Sequence, residues 1–141
     1  MPYATQAQIE SAAGGAVKLV QIADWNADGL VDAGAITFAQ EAADAWIDSF
    51  AALRYAVPIA SPSRVVQQFA AQEAVYQLKL SRDAVDEHDD KERELRVEWL
   101  KLLSQGKVRP SDPAPAASDA VRAEVCVNNR EVSREKLKGF T

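Results

Sequence analysis

The sequence predicts a mainly α-helical protein, a small bundle of about four helices (residues 1–108) followed by an extended C-terminal arm (residues 109–141). Apolar residues make up 48% of the 141 residues, enough for one domain with a core. They recur every three to four positions over much of the first hundred residues, which is the spacing of one helix face. The composition changes at Arg109, where proline, alanine and serine become frequent.

Two short segments open the chain. Thr5 and Gln8 fit a capping box ahead of a helix over residues 6–13, which a pair of glycines ends. Residues 16–23 are apolar and short, so they fit either one or two helical turns or a strand, and we favour the helix. A polar loop over residues 24–32 separates this segment from the next helix.

A long helix is predicted over residues 33–55, directly after the polar loop. Small alanine side chains along it allow a neighbouring helix to approach closely. Pro58 and Pro62 mark the break that follows. The apolar side chains that the spacing places on its inward face are Ile36, Ala39, Ala43, Trp46, Ile47, Phe50 and Leu53.

Two more helices are predicted after the proline break. Ser61 or Ser63 can cap the first, which runs to about Leu80. Acidic residues favour the N-terminal dipole of the second, over about residues 89–104, and Gly106 ends it. Their predicted inward faces hold Val65, Val66, Phe69, Tyr76 and Leu80 in the first, and Leu95, Trp99, Leu102 and Leu103 in the second.

The arm from Arg109 is rich in proline and alanine at its start, which is typical of a linker or an extended segment. Apolar and polar residues then alternate over residues 121–127, which indicates a short strand or hairpin. The chain ends in a basic segment that has no core of its own. The alternating apolar positions are Val121, Ala123, Val125 and Val127.

Charge and composition argue against several classes of function. The net charge is −5 and the basic residues are scattered, so the sequence lacks the basic footprint of specific duplex binding. Cys126 and His88 are the only cysteine and histidine, which leaves few pairs of nucleophile and base, and we expect no enzyme. No apolar run approaches the ~18 residues of a membrane span. The N-terminus lacks the pattern of a secretion signal, so we expect a soluble protein made and used in a cytoplasm.

The polar loop has the front half of a calcium site. Asp24, Asn26, Asp28 and Asp32 supply oxygens at alternating positions, and such oxygens can converge on a hard cation. The second half of a calcium-binding loop is missing, because Ala35 occupies the position that a bidentate glutamate ligand would take. The favoured interpretation is that the Asp and Asn side chains make local turns and that Asp32 caps the long helix. We therefore expect no cofactor beyond weak Ca²⁺ binding at these four residues.

Three tryptophans are candidate contact residues, because tryptophan is enriched at interface hot spots. Trp46 and Trp99 fall on apolar stripes, so we favour the core for both. Trp25 lies in the polar loop, so we predict that it binds a partner.

Charged segments suggest further contacts. The acidic run over residues 83–98 has two interpretations. In the first it is only a solvent-exposed helix face, and in the second it lines a passage for DNA. His88 lies in this run, and we expect it to be a solvated surface residue. Arg130, Arg134 and Lys138 at the basic end of the arm can contact DNA or pair with acids of a neighbouring subunit. We favour the second, because the end of the arm is basic and the body is acidic. The predicted partner-binding residues of the arm are Arg130, Arg134, Leu137 and Phe140.

A further pattern extends over nearly the whole sequence, and its most specific parts are the Asp-rich loop and the helix after it. Its residues are Tyr3-Ala4-Thr5, Asp24-Trp25-Asn26-Ala27-Asp28-Gly29, Val31-Asp32, Ala45, Ile47-Asp48, Leu53-Arg54-Tyr55, Pro58, Gly106-Lys107-Val108, Arg130, Arg134, Leu137 and Gly139. In this pattern the sequence resembles the head-to-tail joining proteins of Mu-like phages.

This resemblance implies a small helical connector, or adaptor, that forms a homo-oligomeric ring of about twelve copies beneath a portal. Its expected partners are the portal protein and a tail-side neck or tail terminator protein. Genomic DNA would pass through the ring without sequence-specific binding, and no membrane is involved. The implied location is the neck of the virion, with host cytoplasm as the site of assembly. A calcium-dependent interaction module built on the Asp loop is the alternative.

Overall fold

The computed structural model describes residues 1–112, which form a mainly helical body without a strand in that range. The predicted fold class is confirmed, with five helices where about four were expected. The candidate strand over residues 121–127 lies outside the described residues. The helices are α1 (Gln6–Ala13), α2 (Ala16–Ala23), α3 (Ala33–Ala51), α4 (Arg64–Ser81) and α5 (Glu87–Ser104).

Local signals position the start and end of α1 as predicted. The Thr5 hydroxyl accepts the Gln8 N–H (3.3 Å), and the Gln8 side chain accepts the Thr5 N–H (2.8 Å), which completes the capping box. Gly14 ends the helix with φ +93°, a left-handed conformation that glycine adopts without strain. The apolar segment after it forms α2, so the favoured interpretation of residues 16–23 is confirmed.

The core is centred on the contact between α3 and α4, onto which α1, α2 and α5 pack. Alanines at this contact let the two backbones approach closely, and Ala39, Ala43, Ala70 and Ala74 are all buried. Larger apolar side chains fill the space around them. The largest of these buried residues are Ile9, Leu19, Ile47, Val66, Leu78, Leu100 and Leu103.

The long helix α3 ends at Ala51, four residues before the predicted end at Tyr55. The chain turns there, and the Tyr55 hydroxyl donates to the Val108 carbonyl (3.0 Å). Leu53 lies in this turn and is exposed, so its predicted place on the inward face is wrong.

The inward face of α4 was predicted in part. Ser63 is its N-cap and accepts the Val66 N–H, and Val66 and Tyr76 are buried as expected. Val65 and Leu80 are exposed instead. They lie at the edges of the buried face of α4. Small alanines occupy that face because α3 lies so close.

The α5 helix is rotated by about one residue, ~100°, relative to the prediction. Leu95 and Leu102, which we expected to point inward, are exposed. The buried positions are Arg96, Leu100 and Leu103. Leu100 and Leu103 are fully buried on this face, and Arg96 pairs there with an acid on α4, as described below.

The chain still packs on the body where the arm was predicted to begin. Pro110 is buried, and its carbonyl accepts the Ser63 N–H at 2.8 Å. The predicted boundary between residues 108 and 109 therefore falls within a segment that contacts the body. The rest of the predicted arm lies outside the described residues. Within residues 1–112, each helix is too short or too polar to cross a bilayer.

Candidate functional site

The Asp loop between α2 and α3 is held by hydrogen bonds from its own backbone. The Asp24 carboxylate accepts the N–H groups of Asp28 (3.1 Å) and Gly29 (2.8 Å). Asn26 Oδ1 accepts the Asp28 N–H, and Asp28 Oδ1 accepts the Leu30 N–H. These are the local Asp and Asn turns that the sequence predicted.

Asp32 occupies the N-cap position of α3, but its side chain accepts no hydrogen bond from that helix. The carboxylate turns back to the loop instead. It accepts the N–H groups of Trp25 (2.9 Å) and Asn26 (3.2 Å), and the Asn26 side-chain amide donates to its other oxygen. The predicted capping role of the Asp32 side chain is therefore wrong, because the loop donors take both oxygens.

The four candidate calcium ligands Asp24, Asn26, Asp28 and Asp32 thus all accept hydrogen bonds from the loop. A cation would have to share or displace these donors. Within residues 1–112, no group of three or more His, Cys, Asp or Glu side chains has an arrangement that could hold a metal ion. Weak calcium binding here stays a prediction.

An apolar patch lies beside the Asp loop. Trp25 is 46% exposed, and its ring lies 5.7 Å from that of Phe38, which is also exposed. Leu30, in the same loop, is 68% exposed. We call Trp25, Leu30 and Phe38 the loop patch. Three large apolar side chains on adjoining elements are suited to contact with another protein.

A second apolar surface runs along the junction of α4 and α5. Phe69 and Trp99 meet edge to face with centroids 5.1 Å apart, which joins the two helices. Leu95 is 66% exposed and lines a groove of about 200 Å³ with Phe69 and Glu92. Phe69 and Trp99 are half-buried. We call this surface the α4–α5 stripe, and it consists of Val65, Phe69, Leu95, Trp99 and Leu102.

The favoured core interpretation of Trp46 and Trp99 holds in part, because both lie at the edge of the core. Both are half-buried and pack against the core. Trp46 stacks edge to face on Phe50 at 5.8 Å, and Trp99 meets Phe69. Trp25 differs from them in its exposure, which fits its predicted role at an interface.

A buried carboxylate joins α4 to α5. Glu73 is fully buried and accepts two hydrogen bonds from Arg93, at 2.9 and 3.2 Å. Arg96, also buried, approaches the same carboxylate at 3.5 Å, and Gln77 donates to it at 2.9 Å. We call Glu73, Arg93 and Arg96 the buried ion cluster. Two positive charges compensate one buried negative charge here.

Arg93 also contacts two aromatic rings. Its guanidinium lies 4.5 Å from the Tyr76 ring centroid and 5.1 Å from that of Trp46, so cation–π attraction adds to the ion pair. Burial alone would lower the pKa of Arg93, but the hydrogen bonds and charge of Glu73 outweigh it and raise that pKa. At Arg96 burial dominates and lowers the pKa.

The buried ion cluster was not predicted, although the sequence holds a signal for it. Glu73 stands at helical spacing from the buried residues Val66 and Ala70, on the face that packs inward. An acid at such a position needs a buried partner. The partner lies on another helix, so its identity could not be read from the neighbours of Glu73.

The N-terminus is tied to α3 by one of the residues that carry the family resemblance. The buried Tyr3 hydroxyl donates to the Asp48 carboxylate and accepts the Ile59 N–H at 2.8 Å. The Tyr3 N–H is directed at the Asp44 carboxylate, 3.2 Å away. Burial and the hydrogen bond to Asp48 raise the pKa of Tyr3 to about 12. These contacts connect the N-terminus, α3 and the α3–α4 connection.

Two other segments that carry the family resemblance are distant in sequence but lie in contact in the structure. A Cβ on Gly106, whose φ is +74°, would overlap the guanidinium of Arg54. Next to this contact the Tyr55 hydroxyl donates to the Val108 carbonyl. Several residues that carry the family resemblance, between Tyr3 and Val108, thus make contacts that connect the two ends of the body.

The acidic run over residues 83–98 has structural roles in part. Asp86 and Asp89 form the capping box of α5, and Lys79 pairs with Asp89 at 2.7 Å. Burial opposes the charge on Asp89, but the hydrogen bond from Lys79 and the cap offset it, so the pKa of Asp89 is lowered. His88 is exposed, as expected, and lies 3.2 Å from Glu92. The DNA-facing interpretation of this run stays a prediction.

The remaining predicted contact residues, Arg130, Arg134, Leu137 and Phe140, lie outside the described residues, as does Cys126. Their role in binding a partner stays a prediction.

Comparison with known proteins assigns the chain to a family. The model of the family described as Bacteriophage Mu, Gp36 matches residues 3–128, which is most of the 141 residues. Among curated proteins, none matches the chain. A family match of this extent indicates a structural or assembly protein of a Mu-like phage. The chain belongs to the bacteriophage Mu Gp36 family.

Proposed function

We propose that the protein is a head-to-tail connector, a non-enzymatic subunit of a ring that lies beneath the portal in the virion neck and joins the capsid to the tail. The observation that carries this proposal is the family match over residues 3–128. This match indicates a structural or assembly protein of a Mu-like phage. The more specific role as a connector is our proposal.

The two exposed apolar surfaces support a role in assembly. The loop patch and the α4–α5 stripe lie on different elements, and each presents large apolar side chains to solvent. A ring of identical subunits uses heterologous contacts, in which one surface meets a different surface of the next copy. A subunit with two unlike apolar surfaces satisfies this requirement.

The charge of the body suits a ring around DNA. Residues 1–112 carry seventeen acidic and eleven basic side chains. Acids that line a passage repel the phosphate backbone and keep DNA from adhering to the wall. The proposed partners are the portal, a tail-side neck or tail terminator protein, and neighbouring copies, while the genome passes through unbound.

Electron microscopy of the full-length protein mixed with its portal tests the proposal. We expect a ring of about twelve copies on one face of the portal. Trp25→Ala should weaken ring formation at least tenfold, because it removes the centre of the loop patch, a loss of ~1.4 kcal/mol or more at a hot spot. Val17→Ala is the matched control, since Val17 is exposed on α2 and lies outside both surfaces.

Two results would contradict the proposal. One is a chain that stays unbound with portal and is absent from purified virions. The other is a monomer that turns over a substrate.

The calcium-dependent module remains the alternative prediction. The loop oxygens already accept backbone N–H groups, so Ca²⁺ would compete with these hydrogen bonds. Isothermal titration decides between the two. Micromolar affinity that also raises the unfolding temperature would favour the calcium module, whereas a Kd in the range of about 10⁻³ M or weaker is what we expect of the connector.

A further inference from the structure

The α4–α5 stripe is larger than a chance exposure of single apolar residues. Leu95, Val65 and Leu102 are 66%, 41% and 38% exposed, and the Phe69–Trp99 pair connects them across the two helices. Isolated exposed leucines are common on protein surfaces, but a continuous apolar row usually has a partner.

The described chain ends close to one end of this stripe. Pro110 is fixed to the body by the hydrogen bond from the Ser63 N–H, two residues before Val65. The antiparallel pairing of α4 with α5 places Leu102 at the same level as Val65, because Phe69 meets Trp99 and Glu73 meets Arg93. Residues 113–141 therefore continue from the Val65–Leu102 end of the stripe.

The composition of this continuing segment complements the stripe. It ends with two large apolar residues, Leu137 and Phe140, and residues 130–138 contain four basic and two acidic side chains. The stripe is flanked by acids of α5. Glu92 lines the groove beside Leu95. Glu98 is exposed and stands three residues after Leu95 and four before Leu102, the spacing of neighbours on one helix face. Basic groups of the segment can pair with these acids at the rim.

The segment is long enough to reach the stripe of a neighbouring copy. The twenty-four residues from 113 to 136 can span at most ~80 Å. A body of 112 residues has a radius of gyration of ~13 Å, hence a width of ~34 Å. A ring is held together only by contacts between different copies, so docking on the next copy contributes to the ring and docking on the same body does not.

We propose that, in the ring, Leu137 and Phe140 of one subunit dock on the α4–α5 stripe of the next copy, with Arg134 and Lys138 beside Glu92 and Glu98. This inference rests on the proposed ring and names a surface by which neighbouring copies hold each other. Each subunit then donates one segment and accepts one, so closure of the ring leaves no stripe uncovered.

Cysteine cross-linking between differently labelled subunits tests the docking. In a Cys126→Ser background, Leu95→Cys subunits are mixed with Phe140→Cys subunits, assembled on portal and oxidised. A disulfide forms only where the two Cα atoms come within ~7 Å. We expect at least tenfold more covalent dimer than with the control mixture of Leu53→Cys and Phe140→Cys, because Leu53 is equally accessible but lies off the stripe.

A second variant does not depend on disulfide geometry. Leu95→Asp places a charge on the stripe and should reduce ring assembly on portal at least tenfold, whereas Leu53→Asp should leave it unchanged. Both positions are exposed, so neither substitution should disturb the fold.

The outcomes separate this inference from the proposed function. Rings that form without the Leu95–Phe140 dimer and tolerate Leu95→Asp overturn the docking and leave the connector role intact. A subunit carrying both cysteines that closes only an internal disulfide also overturns it, since the segment would then cover its own stripe. Failure of the unmodified chain to form rings on portal overturns both.

Discussion

Glu73 is a fully buried carboxylate whose charge is compensated by Arg93 and Arg96 from α5. Removing one member of a buried ion cluster leaves the other charges without compensation, which costs more than the cluster itself contributes. Glu73 therefore contributes to the attachment of α5, beside the core contacts of Leu100 and Leu103.

Glu73→Gln should lower the free energy of unfolding by roughly 3–5 kcal/mol, because it leaves two arginines without a buried counter-charge. Urea denaturation followed by circular dichroism measures this change. Glu98→Gln is the control on the exposed face of α5 and should change stability by less than about 0.5 kcal/mol. Equal effects of the two substitutions would contradict the role of the cluster.

Tyr3 makes the stability of the body depend on alkaline pH. Its pKa is raised from 10.0 to about 12, so the folded state holds the phenol proton more tightly than the unfolded state. This contribution is complete below about pH 10 and is lost as the pH rises towards 12. Urea midpoints between pH 9 and 12 should fall more steeply for the unmodified chain than for Tyr3→Phe. Parallel curves would show that Tyr3 is not the group responsible.

Gly106 tests the left-handed backbone where the chain leaves α5. Gly106→Ala should cost about 1–3 kcal/mol, because the backbone there has φ +74°, a conformation that residues with a Cβ rarely adopt. The exposed Arg54 side chain can move away from the added Cβ, so it adds little to this cost. Gly34→Ala is the matched control in α3, where a Cβ meets no atom within 4 Å, and should be neutral or stabilising by up to ~1 kcal/mol. Thermal unfolding of both variants gives the comparison. A neutral Gly106→Ala would contradict the left-handed backbone conformation at this position.

At the scale of whole elements, α5 is the helix whose orientation decides both the core and the α4–α5 stripe. Its apolar residues fall into two adjacent rows, one with Leu95 and Leu102 and the other with Leu100 and Leu103. The second row is buried. The first is left exposed along the groove beside α4, where it becomes available to a partner.

The rotation of α5 predicts a clear difference between two leucines. Leu100→Ala should cost about 2–5 kcal/mol of stability, because it empties a fully buried site. Leu95→Ala should cost less than about 0.5 kcal/mol in the isolated subunit, since Leu95 is exposed. Chemical denaturation distinguishes them, and a larger effect at Leu95 would support the inward face first predicted from sequence.

At the scale of the whole molecule, residues 1–112 contain a packed core of their own, and the predicted contact residues of the C-terminal segment follow them in sequence. A chain that ends at Asp112 should therefore keep its unfolding temperature within about 4 °C of the full-length chain, a change of less than about 1 kcal/mol. The same truncation should abolish ring assembly on portal. Loss of the helical signal on truncation would show that the segment belongs to the fold.

Many local features of this molecule could be predicted from the sequence. The capping box of Thr5 and Gln8, the Ser63 cap and the end of α1 at Gly14 all appear where expected. Such signals depend on residues within about four positions of each other, so they survive whatever surrounds them. The exposure of Trp25 followed in the same way from its polar neighbours.

The sequence by itself thus determined where the helices lie and which loop carries exposed groups, whereas only the tertiary structure decided which face of α5 is buried. Leu95 and Leu100 are equally apolar, and nothing in their own helix chooses between them. The burial of Leu100 occurs together with the pairing of Glu73, a carboxylate about twenty residues earlier, with Arg93 and Arg96. Desolvation of that charge is a long-range constraint, and it exists only once α4 and α5 have come together.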